Sequence, residues 1–168
     1  MSKVLVAYFS ATGKTKKLAE QISDGYNLDI YEIEPKEKYT KMDLMWINPL
    51  SRTSKEHRNK DYLPEIVNSN ANISEYDKVV ICYPVWWFTA PTIIHTFLSK
   101  YDFSNKEILL FASSSSSGFG NVLRDLQKYV DTTCKIKEGK INPNLDEMKE
   151  IMDDFINFDH CPESWIVR

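Results

Sequence analysis

Residues 3–15 read KVLVAYFSATGKT, and this stretch decides the fold. Its first part, Lys3–Ser10, is a β-branched and aromatic run without the polar alternation of a strand that has one wet face. It therefore predicts a central strand buried on both sides. A helix is predicted next, because Leu18, Ile22 and Tyr26 follow at four-residue spacing. A buried strand that passes through a short turn into a helix is the start of a βαβ unit.

The rest of the chain continues this alternation, with Gly25 expected to end the first helix. Further strands are predicted over Asp29–Glu34, Asp77–Tyr83, Lys106–Ala112 and Cys134–Lys137, and further helices over Pro91–Tyr101, Phe119–Val130 and Leu145–Ile156. The pattern predicts a doubly wound, three-layer α/β sandwich around one parallel sheet. Residues 35–72 are polar and too long for a simple connection, and a short helix is predicted around Asp61–Ser69.

Length and composition suit one globular domain. The chain has 168 residues, of which 42% are hydrophobic and 27% are charged. This is enough to bury a core, so we expect a single domain over 1–168 with a loose tail at 157–168.

No apolar run reaches the ~18 residues of a membrane helix and no signal peptide is evident, which predicts a cytoplasmic protein. A net charge of −3 argues against a nucleic-acid surface. Cys82, Cys134 and Cys161 lack metal-ligand spacing, so free thiols and no metal site are expected.

The first candidate binding segment is Ser10-Ala11-Thr12-Gly13-Lys14-Thr15. In open parallel sheets, ligands bind beyond the carboxyl ends of the strands, where this segment lies. A hydroxyl-rich turn at a helix N-terminus offers backbone N–H groups and a positive dipole end to a phosphate, although an ordinary helix cap is the alternative. A nucleotide P-loop is excluded, because it needs glycine five positions before Gly13, where this chain has Tyr8.

The second and third segments follow the next two buried strands. Residues 84–91 read PVWWFTAP, and their flat aromatic faces suit stacking on a planar ring, while one of the two tryptophans is expected to pack into the core. Residues 113–120 read SSSSSGFG, whose small hydroxyl side chains and glycines suit the polar edge of a ring. Together the three segments predict a ligand with a phosphate and a planar heteroaromatic group. They hold no nucleophile paired with a base, which is typical of a site whose cofactor supplies the reactivity.

Taken together, these segments resemble the flavodoxin family. Residues 10–15 match its [S/T]-x-T-G-x-T phosphate loop, and Tyr83-Pro-Val-Trp-Trp87 followed by Thr89-Ala-Pro91 resembles the second loop of divergent bacterial flavodoxins. The resemblance covers residues 3–156 and implies the short-chain form, with a five-stranded parallel sheet in the order 2-1-3-4-5. It also implies FMN at the point where the strand order reverses, a rule of which flavodoxin is itself a standard example.

The resemblance also implies which residues contact FMN. The phosphate is expected on residues 10–15, the isoalloxazine beside residues 84–88 with Trp86 as the stacking face, and the pyrimidine edge against residues 113–118. The cofactor-binding residues implied are Ser10, Ala11, Thr12, Gly13, Lys14, Thr15, Pro84, Val85, Trp86, Trp87, Phe88, Ser113, Ser114, Ser115, Ser116 and Gly118. One departure is Phe88, which stands where relatives often have glycine.

Two functions follow from the resemblance. The first is electron transfer by a monomer or weak dimer that docks on a reductase and an acceptor, without catalytic residues of its own. The alternative is an FMN-dependent NAD(P)H:quinone or other acceptor oxidoreductase, in which Tyr39, Trp46, Arg52 and His57 would form a lid or wall over the flavin. The other interpretation of residues 35–72 is a loop and a helix that only cover the sheet. A response-regulator receiver of the same topology is excluded, because it needs acidic residues where this chain has Ser10 and Tyr83-Pro84.

Overall fold

The computed structural model describes residues 3–45, 47–59, 62–67, 70–115 and 118–157. The strands are β1 (Val4–Tyr8), β2 (Asp29–Glu32), β3 (Lys78–Pro84), β4 (Glu107–Ser113) and β5 (Lys135–Ile141), and the helices are α1 (Lys14–Tyr26), α2 (Arg52–Arg58), α3 (Thr92–Lys100), α4 (Val122–Gln127) and α5 (Leu145–Asn157). A 3₁₀ turn at Ile73–Glu75 precedes β3.

The five strands form one parallel sheet in the order β2-β1-β3-β4-β5, which confirms the predicted flavodoxin-like fold. Val80 of β3 lies beside Val6 of β1 and Leu109 of β4, and all three are fully buried. One face of the sheet packs with α3 and α4 and the other with α1 and α5. The carboxyl ends of β1, β3 and β4 therefore meet at one edge, where the three candidate segments begin.

The first helix ends two residues later than the glycine suggested. Gly25 lies inside α1, and Asn27 takes the left-handed conformation with φ of 52° and donates its N–H to the Ser23 carbonyl. Asparagine tolerates this conformation better than other non-glycine residues, so it closes the helix as a glycine would.

The helix predicted around Asp61–Ser69 is wrong for the described part of that range. Residues 62–67 contain no helix, and Ile66 instead forms an isolated antiparallel bridge with Pro35. Pro64, which cannot donate a backbone hydrogen bond, stands within the predicted helix. The helix of this segment is α2, and its N-terminus is capped by the Ser51 hydroxyl, which accepts a hydrogen bond from the Ser54 N–H.

Two other elements differ in length from the prediction. Strand β5 is longer than Cys134–Lys137 because its ladder with β4 continues to Ile141 after a register shift. Its sequence, KIKEGKI, has little β-propensity, so pairing with β4 decides its length. Helix α4 begins only at Val122, since a turn from Phe119 to Val122 precedes it.

The described cysteines are free, as expected. Cys82 and Cys134 are buried, and burial raises the pKa of both thiols, so neither is a reactive thiolate at neutral pH. Cys161 lies outside the described residues. In the described part of the chain, no helix is long and apolar enough to cross a membrane.

Lys78 should be the most costly lysine to remove from the core. It is 2% exposed, and its Nζ donates to the Phe155 carbonyl at the end of α5 and lies 3.8 Å from a Glu107 carboxylate oxygen. Lys78→Met should lower the free energy of unfolding by about 3 kcal/mol, because it leaves those buried acceptors without a cation.

Urea unfolding measures this effect. The matched control is Lys36→Met, which removes a surface pair with Glu65 and should change stability little. Equal effects of the two substitutions would contradict the account.

Candidate functional site

The first loop is arranged as an anion cradle. Gly13 has φ of 96°, and its N–H donates to the Ser10 hydroxyl 3.0 Å away, which turns the chain sharply into α1. No side chain caps the start of α1, so the N–H groups of its first turn are available to a ligand. Thr12 and Lys14 are exposed at this turn, and Thr15 is buried. The geometry suits a phosphate bound by backbone N–H groups beside one lysine.

Ser113 links all three loops. Its hydroxyl shares a 2.7 Å hydrogen bond with the Thr15 hydroxyl of the first loop. Its carbonyl accepts a 2.9 Å hydrogen bond from the N–H of Val85 in the second loop. Ser113 itself ends β4 and begins the third loop, so one residue fixes the spacing between the phosphate cradle and the aromatic loop.

The second loop reverses in a tight two-residue turn. The N–H of Trp86 donates to the Thr89 carbonyl, and the N–H of Thr89 donates to the Trp86 carbonyl, at 3.0 and 3.1 Å. The central residues Trp87 and Phe88 both have positive φ, 56° and 61°, as a type I′ turn requires. Such turns favour Asn-Gly, so two large side chains hold a strained backbone here.

Gly120 and Asp125 hold this turn from the side of α4. A Cβ on Gly120 would lie 2.1 Å from the Phe88 carbonyl oxygen, so only glycine permits this close approach. The Thr89 hydroxyl donates to an Asp125 carboxylate oxygen at 2.9 Å. The second loop therefore packs against the end of the third loop, at Gly120, and against α4, at Asp125.

Helix α2 covers the second loop from the other side. The Trp87 ring stacks on the His57 imidazole, with centroids 4.6 Å apart and planes 13° apart. The half-buried Trp86 packs against the core, and its ring meets Phe9 and Tyr39 edge-on at 5.6 and 5.3 Å. Trp86 is thus the tryptophan that packs inward, and its predicted stacking on a flavin stays a prediction.

A charged network anchors α2 in this position. The Tyr39 hydroxyl donates to Glu56 at 2.6 Å, and the Arg52 guanidinium donates to the other Glu56 oxygen at 2.9 Å while lying 3.9 Å from the Tyr39 ring centroid. Burial and the Glu56 charge raise the pKa of Tyr39 well above its usual value, so the phenol stays protonated and remains the donor. Of the four residues expected to form a wall over the flavin, Tyr39 and His57 contact the second loop and Arg52 packs on Tyr39. Trp46 lies outside the described residues, and the wall itself stays a prediction.

The third loop is fixed to the end of β5. The Asn142 side chain accepts from the Ser114 N–H at 3.1 Å and donates to the Ser114 carbonyl at 2.6 Å. Ser115 and Gly118 are exposed beyond it, where a ligand can reach them. Ser116 lies outside the described residues.

Comparison with known proteins gives the family of this chain. The flavodoxin family model matches residues 3–157. The chain belongs to the flavodoxin family. Two similar crystal structures are of proteins assigned as flavoproteins, from Bacteroides eggerthii DSM 20697 and Bacteroides uniformis ATCC 8492. The first is 40% identical with a TM-score of 0.84 and covers 95% of this chain and 100% of that chain; the second is 34% identical with a TM-score of 0.83 and covers 90% and 98%.

A more distant flavoprotein, from Lactobacillus acidophilus NCFM, was crystallised in complex with FMN. It is 20% identical, has a TM-score of 0.72, and covers 94% of this chain and 100% of that chain, which supports the shared fold. The comparison with curated proteins found no match.

FMN, the cofactor of flavodoxins, fits the residues of this site. The uncapped start of α1 suits the phosphate, and the aromatic turn and the hydroxyl-rich third loop suit the ring. Sequence reasoning missed three residues that support the loops of this site, Glu56, Asp125 and Asn142, and it included Gly120 in the third segment without its contact with Phe88. Of these, only Asn142 has a local signal, since Asn142-Pro143 is a typical turn pair after a strand.

Phe88→Gly should stabilise this flavodoxin. The Phe88 side chain is 64% exposed, so little packing is lost, while glycine relieves the left-handed backbone. The free energy of unfolding should rise by about 1 kcal/mol, measured by urea unfolding. Phe88→Ala keeps the strain and should give no gain; an equal gain from both would contradict the strained turn.

Gly120→Ala should have the opposite effect. The methyl group would overlap the Phe88 carbonyl in a backbone with φ of 57°, at a cost of about 2 kcal/mol or more. Because the overlap displaces the second loop, the Kd for FMN, measured by fluorescence quenching, should rise about tenfold. Gly25→Ala, which meets no atom within 4 Å and lies in the last turn of α1 away from the three loops, is the control; it should keep the Kd for FMN near that of the parent and should not lower the free energy of unfolding. Unchanged FMN affinity in Gly120→Ala would show that the contact does not position the site.

Proposed function

We propose that this flavodoxin is an electron carrier that binds FMN on its three loops and exchanges electrons with partner proteins. The observation that carries the proposal is the linked geometry of the loops, in which Ser113 bonds to Thr15 at 2.7 Å and to Val85 at 2.9 Å. Linked in this way, the loops suit a ligand with a phosphate at one end and a planar ring at the other.

The side chains of the loops support a carrier role. Residues 10–15, 84–91 and 113–120 contain a single ionisable side chain, Lys14. The protein therefore offers binding and orientation at the ring but no acid–base pair, and the electron chemistry belongs to bound FMN.

A second candidate function is an NAD(P)H:acceptor oxidoreductase. The observation that favours it is a cavity beside the aromatic turn, between α2, α3 and α4. Its lining includes Glu56, His57, Trp87, Thr92 and Asp125. His57 and Trp87 stack at the mouth of this cavity, on the side of the aromatic turn from which an acceptor would approach the flavin.

Anaerobic mixing of the FMN-loaded protein with NADH or NADPH separates the two functions. A carrier has no site that orients a nicotinamide on the flavin. Its visible flavin absorbance should therefore bleach more slowly than about 0.01 s⁻¹, well below the turnover of ordinary enzymes.

A ferredoxin–NADP reductase added to the same mixture is the control, because it shows that the bound flavin can be reduced. Bleaching by NADH or NADPH alone at about 1 s⁻¹ or faster, followed by turnover with quinones, would contradict the carrier role and establish the oxidoreductase.

A further inference from the structure

The segment that covers the aromatic turn is basic in an acidic protein. Residues 36–58 contain six Lys and Arg against three Asp and Glu, while the whole chain has a net charge of −3. Two of the six, Lys36 and Lys38, pair with Glu65 and Glu34 just outside the segment, so the uncompensated charge lies in residues 41–58. The surface charge is therefore uneven. A local field of this kind steers association according to its own sign, whatever the sign of the net charge.

Two of these cations are exposed and have no acidic partner. Lys41 and Lys55 make no ion pair with any described residue. Two nearby carboxylates are already engaged: Glu56 with Arg52 and Tyr39, and Asp43 with the Thr40 N–H at 2.8 Å. The positive charge of Lys41 and Lys55 thus faces the solvent.

These charges lie close to the proposed flavin site, since the loop that carries Lys41 is tied to α2 by the Thr53 N–H, which donates to the Asp43 carbonyl at 3.1 Å. One side of α2 carries Thr53, Glu56 and His57, which line the cavity shared with Trp87. Lys55 and Arg58 are exposed on the same helix. A helix is about 10–12 Å across, and the Debye length is about 30 Å at 0.01 M salt against about 8 Å at physiological salt, so these cations act on a partner that approaches the aromatic turn most strongly at low salt.

Exposed apolar side chains lie in the same segment. Met42, Met45, Ile47 and Leu50 are 52 to 77% exposed in the loop before α2. They lie on an exposed loop and line neither of the cavities near it. Exposed apolar side chains that are surrounded by charges and lie outside a concave pocket are better suited to contact another protein than to bind a small molecule.

We propose that residues 41–45 and 47–58 form the docking face for an acidic electron-transfer partner. The inference rests on the proposed carrier function and names the kind of partner it requires. Opposite charge would steer the partner to the aromatic turn, and the apolar side chains would give the short-lived complex its contact area.

The test uses reduced plant-type ferredoxin as an acidic probe and follows FMN reduction by stopped flow. Each ferredoxin gives up one electron, its iron–sulfur cluster being oxidised as the flavin is reduced. The rate with the parent protein should fall by roughly tenfold from low to high salt. Lys41→Glu combined with Lys55→Glu should lower the low-salt rate by a similar factor.

Lys135→Glu combined with Lys149→Glu is the matched control, because it changes the net charge equally. Both lysines are exposed; Lys135 begins β5, and Lys149 lies on α5, which packs on the sheet face opposite to α3 and α4. This variant should change the low-salt rate by less than about twofold. Equal losses in the two double variants, or a parent rate that rises with salt, would overturn the docking face.

Docking is also measured without FMN. Amide shifts of the ¹⁵N-labelled protein on addition of ferredoxin should centre on residues 41–58, and the Lys41→Glu, Lys55→Glu variant should lose them. Failure to bind FMN and failure to dock are therefore separate results. Shifts centred elsewhere, or binding to phosphatidylserine vesicles in place of ferredoxin, would overturn the proposal.

Discussion

The hydrogen bonds of Ser113 hold together the edge of the sheet on which the site depends. Its position is set by the parallel pairing of β3 and β4, which places it beside Pro84. From there its hydroxyl reaches Thr15 and its carbonyl reaches Val85. A buried three-stranded core thus fixes the spacing of three loops that would otherwise vary independently. This is how a cofactor site remains precise although it is built from loops.

The aromatic turn is packed on both sides, and its backbone adopts a strained conformation. Trp87 and Phe88 adopt positive φ, while Gly120 supports the turn from α4 and His57 stacks on it from α2. Strain of this kind persists only where the surroundings impose it. The same contacts join the basic segment around α2 to the three loops, so the proposed docking face and the candidate cofactor site are parts of one packed unit.

Most of the fold could be predicted from the sequence, because the central strands and the faces of α1, α3 and α5 are encoded in local runs of apolar residues. The loops could be located because each follows such a strand. Other features depend on distant contacts. Strand β5 takes its length from β4, α2 begins at an inconspicuous Ser51 cap, and Asn27 closes α1 where Gly25 seemed the natural stop. Gly120 gains its role only from the approach of Phe88, 32 positions earlier in the chain.

The central claim is that FMN binds across the three loops that Ser113 links, and amide mapping by NMR tests it most directly. On titration of the ¹⁵N-labelled apoprotein with FMN, the account predicts that the largest shifts occur at residues 12–15, at Trp87 and at Ser114, Ser115 and Gly118. Inorganic phosphate alone should shift only the first group. Shifts centred on the groove formed by Lys36, Ile66 and Thr96, with residues 12–15 unchanged, would contradict the account.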